Sequence, residues 1–426
     1  MEMDDRFLLK TDGAAELYAR YARSNPIIDF HNHLSVKDMA ANRRYENITE
    51  LWLETDPYKH RLMRICGVEE HFITGNADPK EKFAKFCEIF PMLAGNPVYD
   101  WSRMELFQVF GVEELPTGEN AARLYDRLGE LLSSPEYSAG GILGRFNIAW
   151  QSPVASLTDD LSDFRPGVAP SLRGDNLLVP TEELKAAIQA KTGQTGYFAG
   201  ICALLDRFHA AGCRVADHAL DSDFFQKDAD GAQQSMLITL AGEYARRGWT
   251  LLLHMGAKRQ TSLRLARVAG PAGGYAAAGN SFPTEAVCDL LGQMEEAGGL
   301  PDTVLFPLNM SDLPSLAVLQ GSFSQDGVAS KVQLGPAWWW CDHAMGIRNT
   351  LQCVASFGVL SQFIGMTTDS RSILSMVRHD YFRRILCAWL DEQNRTGEWA
   401  LPFEMQGKMV ENITYLNAKR KICEGK

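Results

Sequence analysis

The sequence predicts an α/β fold, a (β/α)₈ barrel, because eight short β-rich apolar runs alternate with helical stretches along its 426 residues. The runs are apolar throughout rather than alternating, which is typical of parallel strands covered on both faces. Several helical stretches, such as "RFHAAG" and "AGEYARRG", end in Gly just before the next run. An open doubly wound sheet is the alternative, although no Gly-x-Gly-x-x-Gly follows the first run.

The predicted strands differ in spacing as well as in sequence. In chain order they are "PIIDFHNHL" (26–34), "FNIAWQSPV" (146–154), "GVAPSLR" (167–173), "CRVADHAL" (213–220), "TLLLHMGA" (250–257), "TVLFPLN" (303–309), "KVQLGPAWW" (331–339) and "SQFIGMTTDS" (361–370). Helical segments between most of them suit right-handed parallel crossovers. The first interval, of about 110 residues, is far longer than one crossover needs. We therefore expect residues 35–140 to form a mostly helical insertion covering the active-site end of a barrel built from 1–34 and 141–426.

Composition excludes several classes of partner. The chain is 46% hydrophobic and 22% charged, with a net charge of −11, so neither nucleic acid nor an anionic membrane would gain counterion release by binding it. The start "MEMDD" is acidic where a secretory signal is basic, and no apolar run approaches the length of a bilayer span. Nine cysteines occur without a C-x-x-C pair, which argues against a disulfide framework or a cysteine zinc site. We expect a cytoplasmic protein with a small-molecule substrate.

Two histidines two positions apart close the first predicted strand. In an extended strand, residues i and i+2 point the same way, so His31 and His33 would aim both imidazoles at one point. That is a metal-ligand geometry, although so short a motif also arises by chance.

Other strand ends supply further polar residues. They are Arg173 on strand three, Asp217 and His218 on strand four, His254 on strand five, Asn309 on strand six, and Asp369 followed by Arg371 on strand eight. In a barrel these ends meet at the catalytic face, where imidazoles and a carboxylate would suit Zn²⁺ or Mn²⁺ as a Lewis acid.

Five of these residues also have a structural interpretation. His218 and His254 could be core histidines bonded to backbone carbonyls, and Asp217 could cap the next helix. Arg371 could simply neutralise Asp369, and Arg173 could lie at the surface. Trp338, the first of three consecutive tryptophans, would pack by default but could also stack on a sugar.

Seven motifs together resemble the uronate (glucuronate) isomerase family of the amidohydrolase superfamily. They are "DFHNHL", "GNPVYDWSRMEL", "GCRVADHAL", "EYARRGW", "LLLHMGA", "FIGMTTDSRS" and "RHDYFRRILC". The resemblance runs from about residue 7 to about residue 415, and the last two motifs are the most specific. It implies a distorted (β/α)₈ TIM-type barrel, one divalent metal, commonly zinc, and conversion of D-glucuronate to D-fructuronate and of D-galacturonate to D-tagaturonate.

The resemblance also assigns roles. His31, His33 and Asp369 match the metal ligands, with Asp369 doubling as an acid/base, and His254 lies in the family's H-x-G-A strand, on or near the metal. Arg371 and Arg173 match arginines that grip the substrate, and Tyr58 matches an insertion tyrosine that reaches the sugar. A sugar acid is the expected partner, and assembly into a homo-oligomer is left open.

The chain departs from the family pattern at several positions. Pro57 replaces the histidine that often precedes the tyrosine, and His60 replaces a tryptophan, so His60 is a candidate to take over substrate binding. Asp100 and Arg103 stand in a motif that reads Y-H-W-T-H-L-E-L in relatives, and Gly174 replaces a proline. A metal-dependent hydrolase and a non-catalytic sugar-acid binder are the competing functions. Against the hydrolase, this chain has no lysine at the end of strand four, where many members of the superfamily carry a carbamylated lysine. Against the binder, a protein that only binds a sugar acid would not need an acid/base carboxylate such as Asp369.

Overall fold

Seven parallel strands form the main sheet of the computed structural model, which describes residues 6–424. They are β1 (Ile27–Asn32), β2 (Ile148–Ser156), β3 (Ser171–Arg173), β4 (Val215–Leu220), β5 (Thr250–Met255), β8 (Asp302–Pro307) and β9 (Val332–Leu334). The strands pair in chain order, β1-β2-β3-β4-β5-β8-β9. Two short antiparallel strands, β6 (Ala257–Lys258) and β7 (Ala277–Ala278), make a separate pair between β5 and β8. The result is a mixed α/β fold with a curled parallel sheet.

The prediction of an eighth strand at 361–370 is wrong. A 3₁₀ turn covers Leu360–Gln362, and the chain beyond it is extended without regular strand pairing. This segment still contacts both edge strands, because Ile364 N donates to the Gln333 side chain of β9 at 3.0 Å and Asp369 N donates to the carbonyl of His31 in β1 at 3.1 Å. The seventh predicted strand is also shorter than expected, since Trp339–Cys341 forms a 3₁₀ turn.

Alternate residues of the strands fill the concave side of the sheet. Buried side chains from β1, β4, β5 and β8 pack there with one from the closing segment: Ile28, Phe30, Val215, Leu252, Val304, Phe306 and Ile364. Because strand side chains repeat every second residue, Asp217 follows Val215 on this inner face and His254 follows Leu252. The apolar interior therefore ends in polar side chains at the carboxyl ends of the strands.

Helices occupy most of the remaining chain. Those that precede β2 are α1 (Asp12–Tyr21), α2 (Val36–Ala40), α3 (Ile48–Trp52), α4 (Pro57–Ile65), α5 (Pro79–Ile89), α6 (Pro97–Phe110), α7 (Ala121–Leu132) and α8 (Ala139–Leu143). Those between β3 and β9 are α9 (Asp175–Leu178), α10 (Glu182–Thr192), α11 (Tyr197–Ala210), α12 (Phe224–Lys227), α13 (Ala232–Arg246), α14 (Leu263–Ala269), α15 (Thr284–Glu296), α16 (Leu313–Ala317) and α17 (Leu319–Ser322). The last three are α18 (Ala344–Phe357), α19 (Val377–Arg395) and α20 (Phe403–Glu411).

Three helices between β1 and β2 begin with the same local signal. Asp56-Pro57, Asp78-Pro79 and Asn96-Pro97 each place a capping side chain before a proline at the first helical position. The side chain accepts from an early backbone N–H, and proline costs nothing where that N–H would lack a partner. This device sets the start of α4, which carries Tyr58.

No helix within residues 6–424 is both long enough and apolar enough to cross a membrane.

Candidate active site

A cavity of about 320 Å³ opens at the carboxyl ends of the strands. Nine of the candidate site residues named from the sequence line it: His31, His33, Tyr58, Arg173, Asp217, His254, Trp338, Asp369 and Arg371. They come from β1 and the residue directly after it, from β3, β4 and β5, from α4, and from the segments after β9 and before α19. This is the position of active sites in parallel barrels, and the volume suits a small ligand.

His31, His33 and Asp369 form the first of two groups that share His31. The Asp369 Oδ1 atom lies 3.0 Å from Nε2 of His33 and 3.3 Å from Nε2 of His31. The two imidazoles therefore point at one place, as their spacing predicts.

The second group contains His31, Asp217 and His254. Asp217 Oδ2 lies 3.9 Å from Nε2 of His31, and Asp217 Oδ1 lies 2.6 Å from Nδ1 of His254. Because a carboxylate only accepts, Nδ1 of His254 carries the proton and Nε2 is the basic nitrogen. That Nε2 is buried without a hydrogen-bond partner in the described chain, on a residue that lines the cavity. The predictions of Asp217 as a helix cap and of His254 as a histidine bonded to a backbone carbonyl are both wrong.

Burial and neighbouring charge act in opposite directions on these groups. Burial raises the pKa of Asp369, but its hydrogen bonds with His31 and His33 outweigh burial and hold that pKa well below the usual range. Burial lowers the pKa of His31, yet the charges of Asp217 and Asp369 raise it overall. For His33 burial prevails and the pKa falls. An ionised carboxylate beside an easily neutralised imidazole is a suitable donor set for a cation.

The residues present fit a divalent metal. In each group one nitrogen or oxygen per residue lies within 4.8 Å of the others, and the donors are imidazole nitrogens and carboxylate oxygens. Such donors suit Zn²⁺ or Mn²⁺.

Asp29, which the sequence analysis assigns no role, holds the first group together. Its buried carboxylate accepts from the backbone N–H of Thr368 at 2.7 Å and from the hydroxyls of Thr367 and Thr368 at 2.9 and 2.8 Å. His379 Nε2 lies 3.2 Å from the same carboxylate. These bonds fasten β1 to the segment that carries Asp369, whose backbone φ of 47° is one that aspartate tolerates better than most residues.

Arg173 lies at the cavity wall rather than free at the surface. Its Nε and Nη2 atoms each lie 2.9 Å from Asp175 Oδ2. The intervening Gly174 is tightly enclosed, because a Cβ there would meet the His218 ring at 2.4 Å. His218 is a buried core histidine, as its structural interpretation predicts, but the predicted bonding to backbone carbonyls is wrong: its Nε2 lies 2.9 Å from the Tyr244 hydroxyl, and its Nδ1 has no hydrogen-bond partner within residues 6–424.

Arg371 makes no ion pair with any of residues 6–424, so the prediction that it simply neutralises Asp369 is wrong. Its side chain is exposed and lines the cavity. Arg259, which the sequence analysis missed, also lines the cavity, where it donates to Asp221 at 2.8 Å and lies 5.6 Å from the Trp339 ring. The wall is therefore positively charged at three places in a chain of net charge −11.

Tyr58 and His60 lie on the same helix but face different ways. Tyr58 lines the cavity, whereas His60 is buried without lining it. Residues i and i+2 of a helix do not share a face, so only one of the two could reach the cavity. The departure at His60 therefore does not supply a contact to the cavity.

The three tryptophans divide between the cavity and its support. Trp338 and Trp339 line the cavity, and the Trp338 ring packs 4.6 Å from the His254 ring. Trp340 instead packs edge-on against Tyr58 at 5.3 Å. An aromatic wall opposite charged groups suits a ligand with an apolar C–H face and polar edges.

Comparisons with known proteins agree over the whole chain. Residues 1–236 and 226–421 match the family model described as glucuronate isomerase. A uronate isomerase of Geobacillus thermodenitrificans is 38% identical over 458 residues, covering 98% of each chain. One of Oceanobacillus iheyensis is 36% identical, covering 98% of this chain and 97% of its own.

Solved structures share the fold. The crystal structure of a uronate isomerase from Thermotoga maritima matches with a TM-score of 0.90 at 24% identity, covering 99% of this chain and 100% of that one. That of a glucuronate isomerase from Caulobacter crescentus matches with a TM-score of 0.89 at 22% identity, covering 100% and 98%. The predicted α/β class and the expected family are confirmed.

Proposed function

The chain belongs to the glucuronate isomerase family, and on that premise we propose that it is an aldose–ketose isomerase of hexuronates. The reactions are D-glucuronate to D-fructuronate, D-galacturonate to D-tagaturonate, or both. The observation that carries the proposal is one cavity in which His31, His33 and Asp369 converge beside Arg371, which forms no ion pair within the described part of the chain. The hydrolase alternative is not favoured, because the matches that span the chain are to uronate isomerases.

The finer architecture belongs to the same proposal. The extended segment before α19 would take the place of the eighth strand in a distorted barrel, because it forms hydrogen bonds to β9 on one side and to β1 on the other. The helical residues 35–140 would form an insertion over the active-site end. Its support is that Thr55, Asp56, Pro57 and Tyr58 all line the cavity.

One divalent metal would be held by His31, His33 and Asp369, with His254 beside them. Zn²⁺ is the first choice and Mn²⁺ the second. When bound, the ion would supply Lewis-acid chemistry to a substrate oxygen.

The arginines and aromatic rings would bind and orient the sugar acid. Arg371 lines the cavity and would bind a carboxylate or an enediolate, and such charge-assisted bonds fix geometry as well as charge. Arg173 has two nitrogens committed to Asp175, so it would contribute with the nitrogen that remains. Trp338 would cover the C–H face of the sugar.

Isomerisation needs a proton moved from C2 to C1 on one face of a cis-enediol. Asp369 and Tyr58 are the groups placed to carry it. The carboxylate of Asp369 is held ionised by its neighbours and so is ready to accept a proton. The phenol of Tyr58 lines the same cavity and could donate one. General acid–base catalysis of this kind contributes roughly 10²- to 10⁴-fold to the rate.

The test follows the C2 proton of each uronate. We would incubate purified protein with D-glucuronate or D-galacturonate in D₂O, record NMR spectra, and repeat after chelation. Loss of the C2 signal with appearance of the ketose is expected, and chelation should abolish it. Absence of both changes with folded, metal-loaded protein would refute the isomerase and leave the hydrolase as the better hypothesis.

A further inference from the structure

Arg378, on α19, is a buried cation with few partners. Its side chain is 2% exposed, and its Nε and Nη1 atoms have no hydrogen-bond partner within residues 6–424. The nearest carboxylate oxygen is Asp342 Oδ2, 3.7 Å from Nη1. A buried guanidinium that lacks some of its hydrogen-bond partners destabilises a protein, unless other interactions offset the cost of removing its charge from water. Arg378 does not itself line the cavity but contacts Tyr58, which does, and a buried charge linked to a cavity in this way is a candidate for function.

The guanidinium lies against two aromatic rings. Its carbon is 4.7 Å from the centre of the Tyr58 ring and 4.0 Å from that of Trp101. Trp101 and Trp340 also pack edge-on against Tyr58, at 5.5 and 5.3 Å. Tyr58 is thus held by groups from α6, from the turn after β9 and from α19, and it remains 8% exposed where it meets the cavity.

This inference rests on the proposed role of Tyr58 in proton transfer. We infer that Arg378 is a positioning residue for Tyr58, fixing its ring and supplying the positive charge that faces the phenol oxygen when it releases its proton. In that step the O–H bond breaks, the proton goes to the substrate, and the electron pair stays on the phenol oxygen. When the oxygen takes a substrate proton, the neutral phenol is restored, so charge and protons balance over one turnover.

The electrostatics around Tyr58 agree with this geometry. Burial raises the pKa of the Tyr58 hydroxyl, and the charges of Asp342 and Asp369 raise it further. Arg378 is the strongest charge that acts in the opposite direction, and Arg371 also faces the phenol. Without Arg378, burial and the charges of Asp342 and Asp369 would all destabilise a phenolate at this position, and of these two arginines only Arg371 would remain to stabilise it.

The experiment is a double-mutant cycle between Arg378→Lys and Tyr58→Phe, with kcat and KM measured on D-glucuronate. In the Tyr58 enzyme we expect Arg378→Lys to lower kcat about 10- to 100-fold, because part of an acid–base contribution is lost, with KM changed less than about threefold. In the Tyr58→Phe enzyme the same substitution should change kcat less than about threefold. Equal losses in both backgrounds would show that Arg378 acts only on the fold, and an unchanged kcat in the Tyr58 enzyme would refute the inference outright.

Arg384 offers a matched control on the same helix. Its guanidinium lies 4.6 Å from the Tyr18 ring and pairs with Asp380 at 3.0 Å, and neither Tyr18 nor Asp380 lines the cavity, whereas Tyr58 does. Arg384→Lys should therefore leave kcat within about threefold of the parent.

A second variant, Arg378→Met, keeps side-chain length without charge. If Arg378→Lys and Arg378→Met are both unfolded while Arg384→Lys folds, Arg378 is a structural residue and the inference fails. Replacing Tyr58 by a fluorotyrosine of lower phenol pKa should restore part of the activity lost in Arg378→Lys, which a purely structural role would not allow. If the unmodified protein converts neither uronate, both the proposed function and this inference are refuted. If the unmodified protein is active but the effects of Arg378→Lys and Tyr58→Phe on kcat are additive in free energy, only the inference is refuted.

Discussion

Nδ1 of His254 lies 2.6 Å from Oδ1 of Asp217, and this contact decides which nitrogen of His254 is left basic beside the cavity. A carboxylate that orients an imidazole in this way commonly tunes a metal site from outside it. The second oxygen of Asp217, 3.9 Å from His31, extends the same influence to a proposed metal ligand.

We expect Asp217→Asn to weaken metal binding about 10- to 100-fold, because the amide removes the charge that faces both imidazoles. Metal content after dialysis against graded chelator concentrations measures this. Asp206→Asn, which alters an exposed carboxylate paired with Arg247 on the outer surface, is the control. Equal metal retention by both variants would contradict the prediction.

We expect Asp369→Asn to reduce kcat to below about a tenth of the parent value and to weaken metal binding, because one carboxylate serves both purposes in the proposed mechanism. Steady-state kinetics with excess metal separates the two effects. A variant that keeps more than about a tenth of kcat would remove Asp369 from proton transfer.

We expect Arg371→Met to lower kcat/KM about 10- to 100-fold, since a charge-assisted hydrogen bond to an anionic substrate is worth roughly 1.5–3 kcal/mol. Arg348→Met is the control, because Arg348 is a surface arginine paired with Glu392 at 2.6 Å. If the two variants have the same kcat/KM, Arg371 does not bind the substrate.

We expect Gly174→Ala to lower the free energy of unfolding by about 1–3 kcal/mol, because the new Cβ would lie 2.4 Å from the His218 ring. Gly292→Ala, in α15 where a Cβ meets nothing within 4 Å, should instead be neutral or stabilising by up to about 1 kcal/mol. Chemical denaturation measures both. Equal stability of the two variants would mean that His218 moves aside without cost.

We expect Asp342→Asn to change how stability depends on pH. Burial raises the pKa of Asp342 from 3.8 to about 7, so between these values the folded protein binds a proton that the unfolded chain releases. Stability of the parent should therefore fall as pH rises from about 4 to 7, by at most roughly 4 kcal/mol from this group. The Asn variant lacks this titration and should gain stability relative to the parent across that window. Denaturation at several pH values, with the exposed Asp326→Asn as control, checks the trend, and a pH-independent difference would refute it.

The strands that pair through regular ladders could be predicted from the sequence. The irregular backbone of residues 361–370, where the sequence predicts an eighth strand, could not. In "SQFIGMTTDS" the apolar run looks like the others, but Thr367 and Thr368 bond through their side chains to Asp29. The His31 N–H likewise donates to the Thr367 hydroxyl at 2.9 Å. Side-chain bonds of this kind compete with strand pairing and leave no periodicity to detect.

The convergence of His31 and His33 on one point could also be predicted, because the H-x-H spacing is local. The role of Asp217 could not, since capping a helix and orienting an imidazole need the same residue type. Only the fold brings His254, 37 positions away, to its carboxylate. Arg378 stands in a motif that resembles the family, yet its contact with Tyr58, more than 300 positions earlier in the chain, exists only in the folded protein.

The bonds from Asp29 to Thr367 and Thr368 join positions 338 and 339 residues apart in the chain. Contacts of such long range form late in folding, because the loop they close costs entropy before any contact compensates it. In the proposed metal site, His31 and Asp369 would come together only after that closure. Metal uptake during refolding should therefore report the final step of assembly, and a fragment that ends before residue 360 should have lost high-affinity binding while keeping much of its helical content.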